Sequence, residues 1–318
     1  MKRVLIVRLD AIGDWILFRN VLSHIRRSAK YRDAELTVFG NPAWKGVAEL
    51  LDGDSADHWI WCDNRNDLFR KGYENLLPRC VWHRRILRAQ REWRDRLAAL
   101  AFDEVLVPQA FEDPLLDEFV EGLAPKVIRG WELPQGDDEF VFLRNRMMAS
   151  AMTGNACDVP LEMSLGGIPD RCEGVLFFPG ASHWTRRWPM RKWRALERDL
   201  REKGIASRIA ATTGSFRDFF RQVASSRAVV SNDTMAAHAA AALGVPVVVI
   251  TNGLSGKGGF WPYPSSLGKK VEVLARGSGR RHSLLVSQFV QYQNLVSVGV
   301  GDVVRALARC LGGEDTCK

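Results

Sequence analysis

The residues best placed for chemistry are carboxylates, arginines and small residues that follow apolar strands. Asp14 is the first. It comes after the apolar run Val4-Leu5-Ile6-Val7 and the turn Arg8-Leu9-Asp10-Ala11-Ile12-Gly13, and it opens a helical pattern with Ile16, Leu17, Val21, Leu22 and Ile25 on one face. Strand, tight turn and helix begin an open α/β sheet, whose ligands sit outside the carboxyl ends of its strands. A carboxylate at a helix start is stabilised by the helix dipole by about 0.3–1 kcal/mol. Asp14 is therefore expected to be ionised and able to accept a proton. Its competing role is to cap the helix. The turn is not GxGxxG, so a dinucleotide fingerprint is absent.

Ser231-Asn232-Asp233-Thr234-Met235-Ala236-Ala237-His238 joins a strand to an alanine-rich helix. Small residues let a ligand approach the first turn, where free N–H groups suit a diphosphate. Asp233 or Thr234 could equally be a plain N-cap, and His238, one turn on, a packed histidine. Pro179-Gly180-Ala181-Ser182-His183-Trp184-Thr185-Arg186-Arg187-Trp188-Pro189 runs from a strand end to a helix start. Its two arginines could clamp phosphate by charge-assisted hydrogen bonds, or form a solvated basic loop. Between 81 and 100, Trp82, Ile86, Ala89, Trp93, Leu97 and Leu100 form one helical stripe, opposite Arg84, Arg85, Arg88, Arg91 and Arg94. That pattern fits either a core-packed helix with a charged face or a contact with anionic lipid or a phosphorylated acceptor. Asp52-Gly53-Asp54 resembles a metal–nucleotide motif, but a turn explains it more simply. HExxH, GxSxG and the Walker lysine motif are all missing.

The elements that position these residues alternate strand and helix. Strands are expected at Val4–Val7, Glu35–Phe39, Asp57–Trp61, Glu104–Val107, Gly174–Phe178, Ala228–Val230 and Val245–Thr251. Helices are expected after Asp14, at Pro42–Leu51, Val81–Ala101, Pro189–Lys203, Asp233–Leu243 and Val303–Leu311. Alternation implies parallel sheets with right-handed crossovers. The pattern loosens between about 130 and 173, which places a domain boundary there: 1–155 and 156–318. The 318 residues, 46% hydrophobic and 26% charged, exclude a disordered, collagen-like or disulfide-scaffold chain. No apolar run approaches the ~20 residues of a bilayer span, and the start is too short in apolar residues for a signal peptide. Six cysteines without CxxC spacing fit reduced thiols in a cytoplasm. A net charge of +8 points to a polyanionic partner. Nucleic acid is not expected, since helix-turn-helix, zinc-finger and RNP motifs are lacking.

Three segments, in this order and spacing, resemble glycosyltransferase family 9, the ADP-heptose:lipopolysaccharide heptosyltransferases: Val4–Asp14, Phe178–Trp193 and Val229–Pro246. The resemblance implies a GT-B fold, two Rossmann-like domains facing a cleft, with the acceptor on the first, the nucleotide sugar on the second, and the last helix packing back on the first. It implies an inverting, metal-independent transferase of a heptose-like sugar onto a lipopolysaccharide-type or other cell-envelope glycan. Asp14 is then the general base. Arg8, Gly13, Ser182, Arg186, Asp233, Thr234, Met235 and His238 are donor contacts. Arg84, Arg85, Arg88 and Arg91 are acceptor or membrane contacts. No cofactor is implied, an ADP-linked sugar being the substrate. The implied partner is an anionic glycolipid, and the implied location is cytoplasmic, with peripheral contact at the inner membrane face. A non-catalytic nucleotide or glycan binder of the same fold is the alternative. The chain departs from the family in having Met235 for glycine and Arg186 for lysine, and in an expected loss of one strand–helix unit, compressed into 204–214.

Overall fold

The computed structural model describes residues 1–62, 79–110, 112–134, 140–167, 174–211, 214–252, 263–275 and 284–312, with side chains from 86 and from 289 in the two helices that begin at 79 and 284. The chain divides into two compact units, Met1–Asp138 with Leu143–Val159, and Glu139–Phe142 with Pro160–Lys318.

The first unit is built on five parallel strands: β1 (Arg3–Arg8), β2 (Glu35–Gly40), β3 (His58–Trp61), β4 (Glu104–Val107) and β5 (Lys126–Arg129), in the order β3-β2-β1-β4-β5. Apart from its half-exposed first residue, β1 is buried, as expected of a central strand covered on both faces. Its core joins Leu5 and Val7 to Phe39, Val105, Val107, Phe119 and Trp93. The helices are α1 (Ile12–Ile16), α2 (Arg19–Arg27), α3 (Lys45–Leu51), α4 (Arg79–Ala98), α5 (Pro114–Val120) and α6 (Val141–Thr153). The single helix expected after Asp14 is two. Trp15, Ile16, Leu17 and Phe18 are all buried, and one continuous helix cannot bury four consecutive side chains on one face. The chain breaks at Leu17–Phe18 instead. On α4, Ile86, Ala89, Trp93 and Leu97 are buried while Arg88 and Arg91 are exposed.

The second unit has a further five parallel strands: β6 (Val175–Phe178), β7 (Ser207–Ile209), β8 (Ala228–Asn232), β9 (Val247–Thr251) and β10 (Val271–Ala275), in the order β10-β9-β8-β6-β7. Its helices are α7 (Met190–Glu202), α8 (Phe216–Ala224), α9 (Met235–Ala242), α10 (Leu284–Ser297) and α11 (Val300–Cys310). Gly204, at φ +71°, ends the turn after α7, a left-handed position that glycine occupies without strain.

Two expectations are corrected. The strand–helix unit thought lost near 204–214 is present as β7 and α8. Its strand is a three-residue edge strand, largely exposed, so it carries none of the apolar run that marks a buried strand. The stretch from 130 to 173, expected to be loose, contains α6. The last helix puts Val303, Ala306, Leu307 and Cys310 into the core of the second unit with Val248, Ile250 and Leu196.

Candidate functional site

Each sheet has one switch point, where connections leave neighbouring strands in opposite directions and open a crevice at the carboxyl ends. In the first unit it lies between β1 and β4, in the second between β6 and β8. The Asp14 turn follows β1, and the two glycine- and serine-containing segments follow β6 and β8. Topology thus sets the sequence-derived residues at the two switch points.

In the first unit Arg8 is buried and spans the crevice. Its Nε lies 2.7 Å from Asp10 Oδ2, a terminal nitrogen donates to the Pro108 carbonyl beyond β4, and the guanidinium lies 4.5 Å from the centre of the Phe18 ring. It is thus committed to the turn itself. Gly13 and Asp14 are half-buried in α1. Asp14 Oδ2 accepts the Ala11 N–H at 3.0 Å, so the helix-capping role is realised. A carboxylate has a second oxygen and further lone pairs, so capping and proton acceptance are compatible.

Asp52 belongs to no metal motif. It is buried, accepts the Trp15 indole N–H at 3.0 Å, and pairs with Arg19 at 2.9 Å. Burial raises its pKa, and Arg19 and Trp15 oppose the rise. Among the described residues no three His, Cys, Asp or Glu side chains gather as a metal-ligand set.

In the second unit the two segments are clasped together by Asn232, the last residue of β8. Its side chain donates to the Pro179 carbonyl at 2.6 Å and accepts the Trp188 N–H at 3.1 Å, tying both ends of the loop after β6. Asn252, beyond β9, donates to the Thr185 carbonyl at 3.4 Å. Within the loop, Trp184–Arg186 forms a short 3-10 turn capped by His183. Ser182 is exposed. Arg186 is exposed and, among the described residues, in no ion pair, whereas Arg187 is tied by its Nε to the Ala181 carbonyl at 2.8 Å.

Thr234 caps α9, accepting from Ala236 N–H, and its hydroxyl lies 3.2 Å from Ser231 Oγ. Met235 is therefore the first helical residue, and the amides that follow Thr234 face the crevice end of the helix. Asp233 is buried behind this turn. His238 is buried one turn on, its Nδ1 2.8 Å from the Tyr263 hydroxyl. Burial lowers the His238 pKa to about 4, with Asp233 opposing, and burial raises that of Tyr263, with Asp233 adding to it.

Beside these residues is a pocket of about 540 Å³, walled by Phe178, Ile209, Phe216, Phe219 and Met235 and floored by Pro179–Gly180. It is mostly apolar, with aromatic edges, in the volume range of small-ligand sites. Sequence reasoning missed its aromatic walls, the Asn232 clasp and Tyr263. Asn232 stood within a quoted motif at a strand's carboxyl end and so was findable. Phe216, Phe219 and Tyr263 carry no local signal, since only the fold brings them to the site. On α4, Arg88 pairs with Glu92 at 3.1 Å and Arg91 is exposed. The side chains of Arg84 and Arg85 lie outside the described residues.

No family profile and no curated protein sequence matches the chain. Solved structures do. E. coli heptosyltransferase WaaC with ADP superposes with a TM-score of 0.65 at 16% identity, covering 97% of this chain and 99% of that one. A glycosyl transferase family 9 protein from Veillonella parvula gives 0.65 at 15% identity, over 98% and 97%. E. coli ADP-heptose lps heptosyltransferase II gives 0.60 at 16%, over 98% of each. From end to end, this chain has the fold of the family 9 heptosyltransferases, two Rossmann-like α/β units of the GT-B type.

Proposed function

We propose that the protein is an inverting glycosyltransferase that uses a nucleoside diphosphate sugar. The observation that carries this reading is the arrangement at the second switch point. The amino end of α9, the exposed Arg186 and an aromatic-walled pocket sit around one clasped loop. A helix start favours phosphate through its unpaired N–H groups and its dipole. The pocket beside it offers ring faces and apolar walls to a nucleoside. The fold shared with heptosyltransferases, one of them solved with ADP, supports an ADP-linked donor and a heptose-like sugar.

In this reading Asp14 accepts the proton of an acceptor hydroxyl as that oxygen attacks the anomeric carbon. The bond from that carbon to the diphosphate breaks on the opposite face, inverting the centre. General-base assistance contributes about 10²–10⁴-fold. The Met235 amide, the positive end of the α9 dipole and the Arg186 guanidinium stabilise the departing diphosphate. Met235 puts a thioether into the pocket wall and narrows the space beside the diphosphate, a basis for donor selection. His238, neutral and held by Tyr263, shapes the back of the helix rather than adding charge. The net charge of +8 and the exposed Arg88 and Arg91 suit an anionic glycolipid of the cell envelope, met at the inner membrane face. Among the described residues no helix is long and apolar enough to cross a membrane.

The test is transfer from ADP-linked and other nucleotide sugars to extracted cell-envelope glycolipid, with Asp14→Asn beside the wild type. Asparagine keeps the size and still accepts the Ala11 N–H. The variant should fold and bind ADP normally while turnover falls about 100-fold or more. Failure of every nucleoside diphosphate to bind would instead favour the non-catalytic alternative. Wild-type turnover in Asp14→Asn would remove Asp14 as the base.

A further inference from the structure

On the other side of Pro179–Gly180 from the nucleoside pocket lies a second concavity of about 490 Å³ that the transfer chemistry above does not use. It is formed by the Ala181–Trp188 turn, the start of α7 and the exposed flank of α10. Its walls include Trp184, Tyr292, Met190, Trp188 and Arg187. Trp184 is 46% exposed and Met190 44% exposed, which is a large apolar exposure beside a strand-end crevice. The Trp184 and Tyr292 rings stand 5.1 Å apart at 55°. At that separation the two rings pack on each other, and Tyr292 supports Trp184, whose remaining surface faces the concavity.

This wall is built firmly. The Trp188 indole N–H donates to the Val298 carbonyl at 3.1 Å, and the Lys192 ammonium donates to Val298 at 2.7 Å and to the Val296 carbonyl. Two donor groups, making three hydrogen bonds, therefore pin the last turn of α10 and the residue after it to Trp188 and the start of α7. Arg187 is fixed from the other side, since its Nε is held by Ala181 and its terminal nitrogens remain for a ligand. A guanidinium held in this way presents a planar fork to an anion with little ordering cost.

We propose that this concavity is a second ligand subsite, for a phosphorylated sugar ring. The exposed surface of Trp184, backed by Tyr292, takes the apolar face of the ring, and Arg187 takes its phosphate. The chemistry is that of a small, half-apolar, anionic ligand: ring faces, a thioether and a proline on one side, a single directed cation on the other. A membrane surface fits less well, because the apolar side chains line a hollow rather than a protruding face.

The test uses the full chain with glucose 6-phosphate, glucose and inorganic phosphate as probes, read by ligand-observed saturation-transfer NMR and by tryptophan fluorescence. Glucose 6-phosphate should bind saturably, with glucose and phosphate each weaker by about tenfold or more. Trp184→Ala and Tyr292→Ala should each weaken glucose 6-phosphate by about tenfold, with Tyr292→Phe restoring it. Arg187→Gln should bring glucose 6-phosphate down to the level of glucose and leave glucose unchanged. ADP affinity should not change in Tyr292→Ala. Three results would overturn the subsite: no saturable binding of glucose 6-phosphate, equal binding in Trp184→Ala and Tyr292→Ala, or phosphate binding as well as the sugar phosphate. The two readings separate cleanly. Loss of ADP binding with sugar-phosphate binding intact removes the transfer reading and leaves the subsite, and the reverse removes the subsite alone.

Discussion

His238 and Tyr263 form a buried pair, with Nδ1 and the phenolic oxygen 2.8 Å apart. Tyr263 in turn packs on Phe140, ring centres 4.5 Å apart. Because burial lowers the His238 pKa from the ordinary 6.5 to about 4, the unfolded chain binds a proton in that window that the folded chain refuses. Stability must then fall as pH drops from 6.5 toward 4, by on the order of 3 kcal/mol from this group. His24 is also lowered by burial and adds in the same direction. Urea unfolding of the wild type and His238→Gln at pH 7.5 and pH 5 isolates the His238 share. The variant should show the smaller loss, and an equal loss in both would place the pH sensitivity elsewhere.

Arg186 and Arg187 are adjacent and both exposed, yet among the described residues only Arg187 has its guanidinium tied to the loop that carries it. Arg186→Ala should weaken ADP by roughly 10-fold or more, as expected for a charge-assisted hydrogen bond of about 1.5–3 kcal/mol. Arg187→Ala should change ADP affinity by much less. Calorimetric titration decides, and equal small effects would mean that neither arginine meets the diphosphate.

Asp52 and Asp54 look alike in sequence and should behave oppositely. Asp52→Ala strands the Arg19 guanidinium and the Trp15 indole N–H in the interior, a loss of about 3–5 kcal/mol. Asp54 is exposed, so Asp54→Ala should stay within about 0.5 kcal/mol. Denaturant midpoints of the two variants are the measurement. A destabilised Asp54→Ala alongside a normal Asp52→Ala would contradict the packing described.

Gly40 ends β2 beneath a tryptophan cluster. Trp15 and Trp44 are stacked, with centres 3.9 Å apart and planes at 4°, and Trp61 lies edge-on to Trp44 at 5.0 Å. A Cβ on residue 40 would come within 2.3 Å of a Trp44 ring carbon and 3.0 Å of one on Trp61. Gly40→Ala should cost about 1–3 kcal/mol through overpacking and weaken the near-ultraviolet dichroism of the cluster. An unchanged melting temperature would refute it.

The parts legible in the sequence were those whose signal is local. β1, β8 and β9 are buried on both faces and read as unbroken apolar runs, and the strand-end motifs around Asp14, Pro179 and Ser231 follow from where such runs stop. The break at Leu17–Phe18 was not legible, because a periodic pattern allows one helix until the core demands four consecutive side chains. β7 escaped notice because an exposed edge strand of Ser207, Arg208 and Ile209 has no face to bury. At the site, Asn232 was visible as a residue but not as a clasp, and Tyr263 reaches His238, and Tyr292 the second concavity, only through tertiary folding. The Arg8 side chain meets Asp10 and the Pro108 carbonyl, partners that the strand pattern cannot rank.

Glu139–Phe142 groups with the second unit, although the residues on either side of it, up to 138 and from 143 to 159, group with the first. This interleaving has a consequence for synthesis. When the first unit's last segment leaves the ribosome, Phe140 has already emerged, but Tyr263, the ring it packs on, is still untranslated. The nascent chain must therefore carry an apolar aromatic side chain without this partner until nearly the whole second unit has been made, an exposure of the kind that chaperones screen. A fragment starting at Pro160 would lack that aromatic side chain altogether, and one ending at Val159 would carry it without Tyr263.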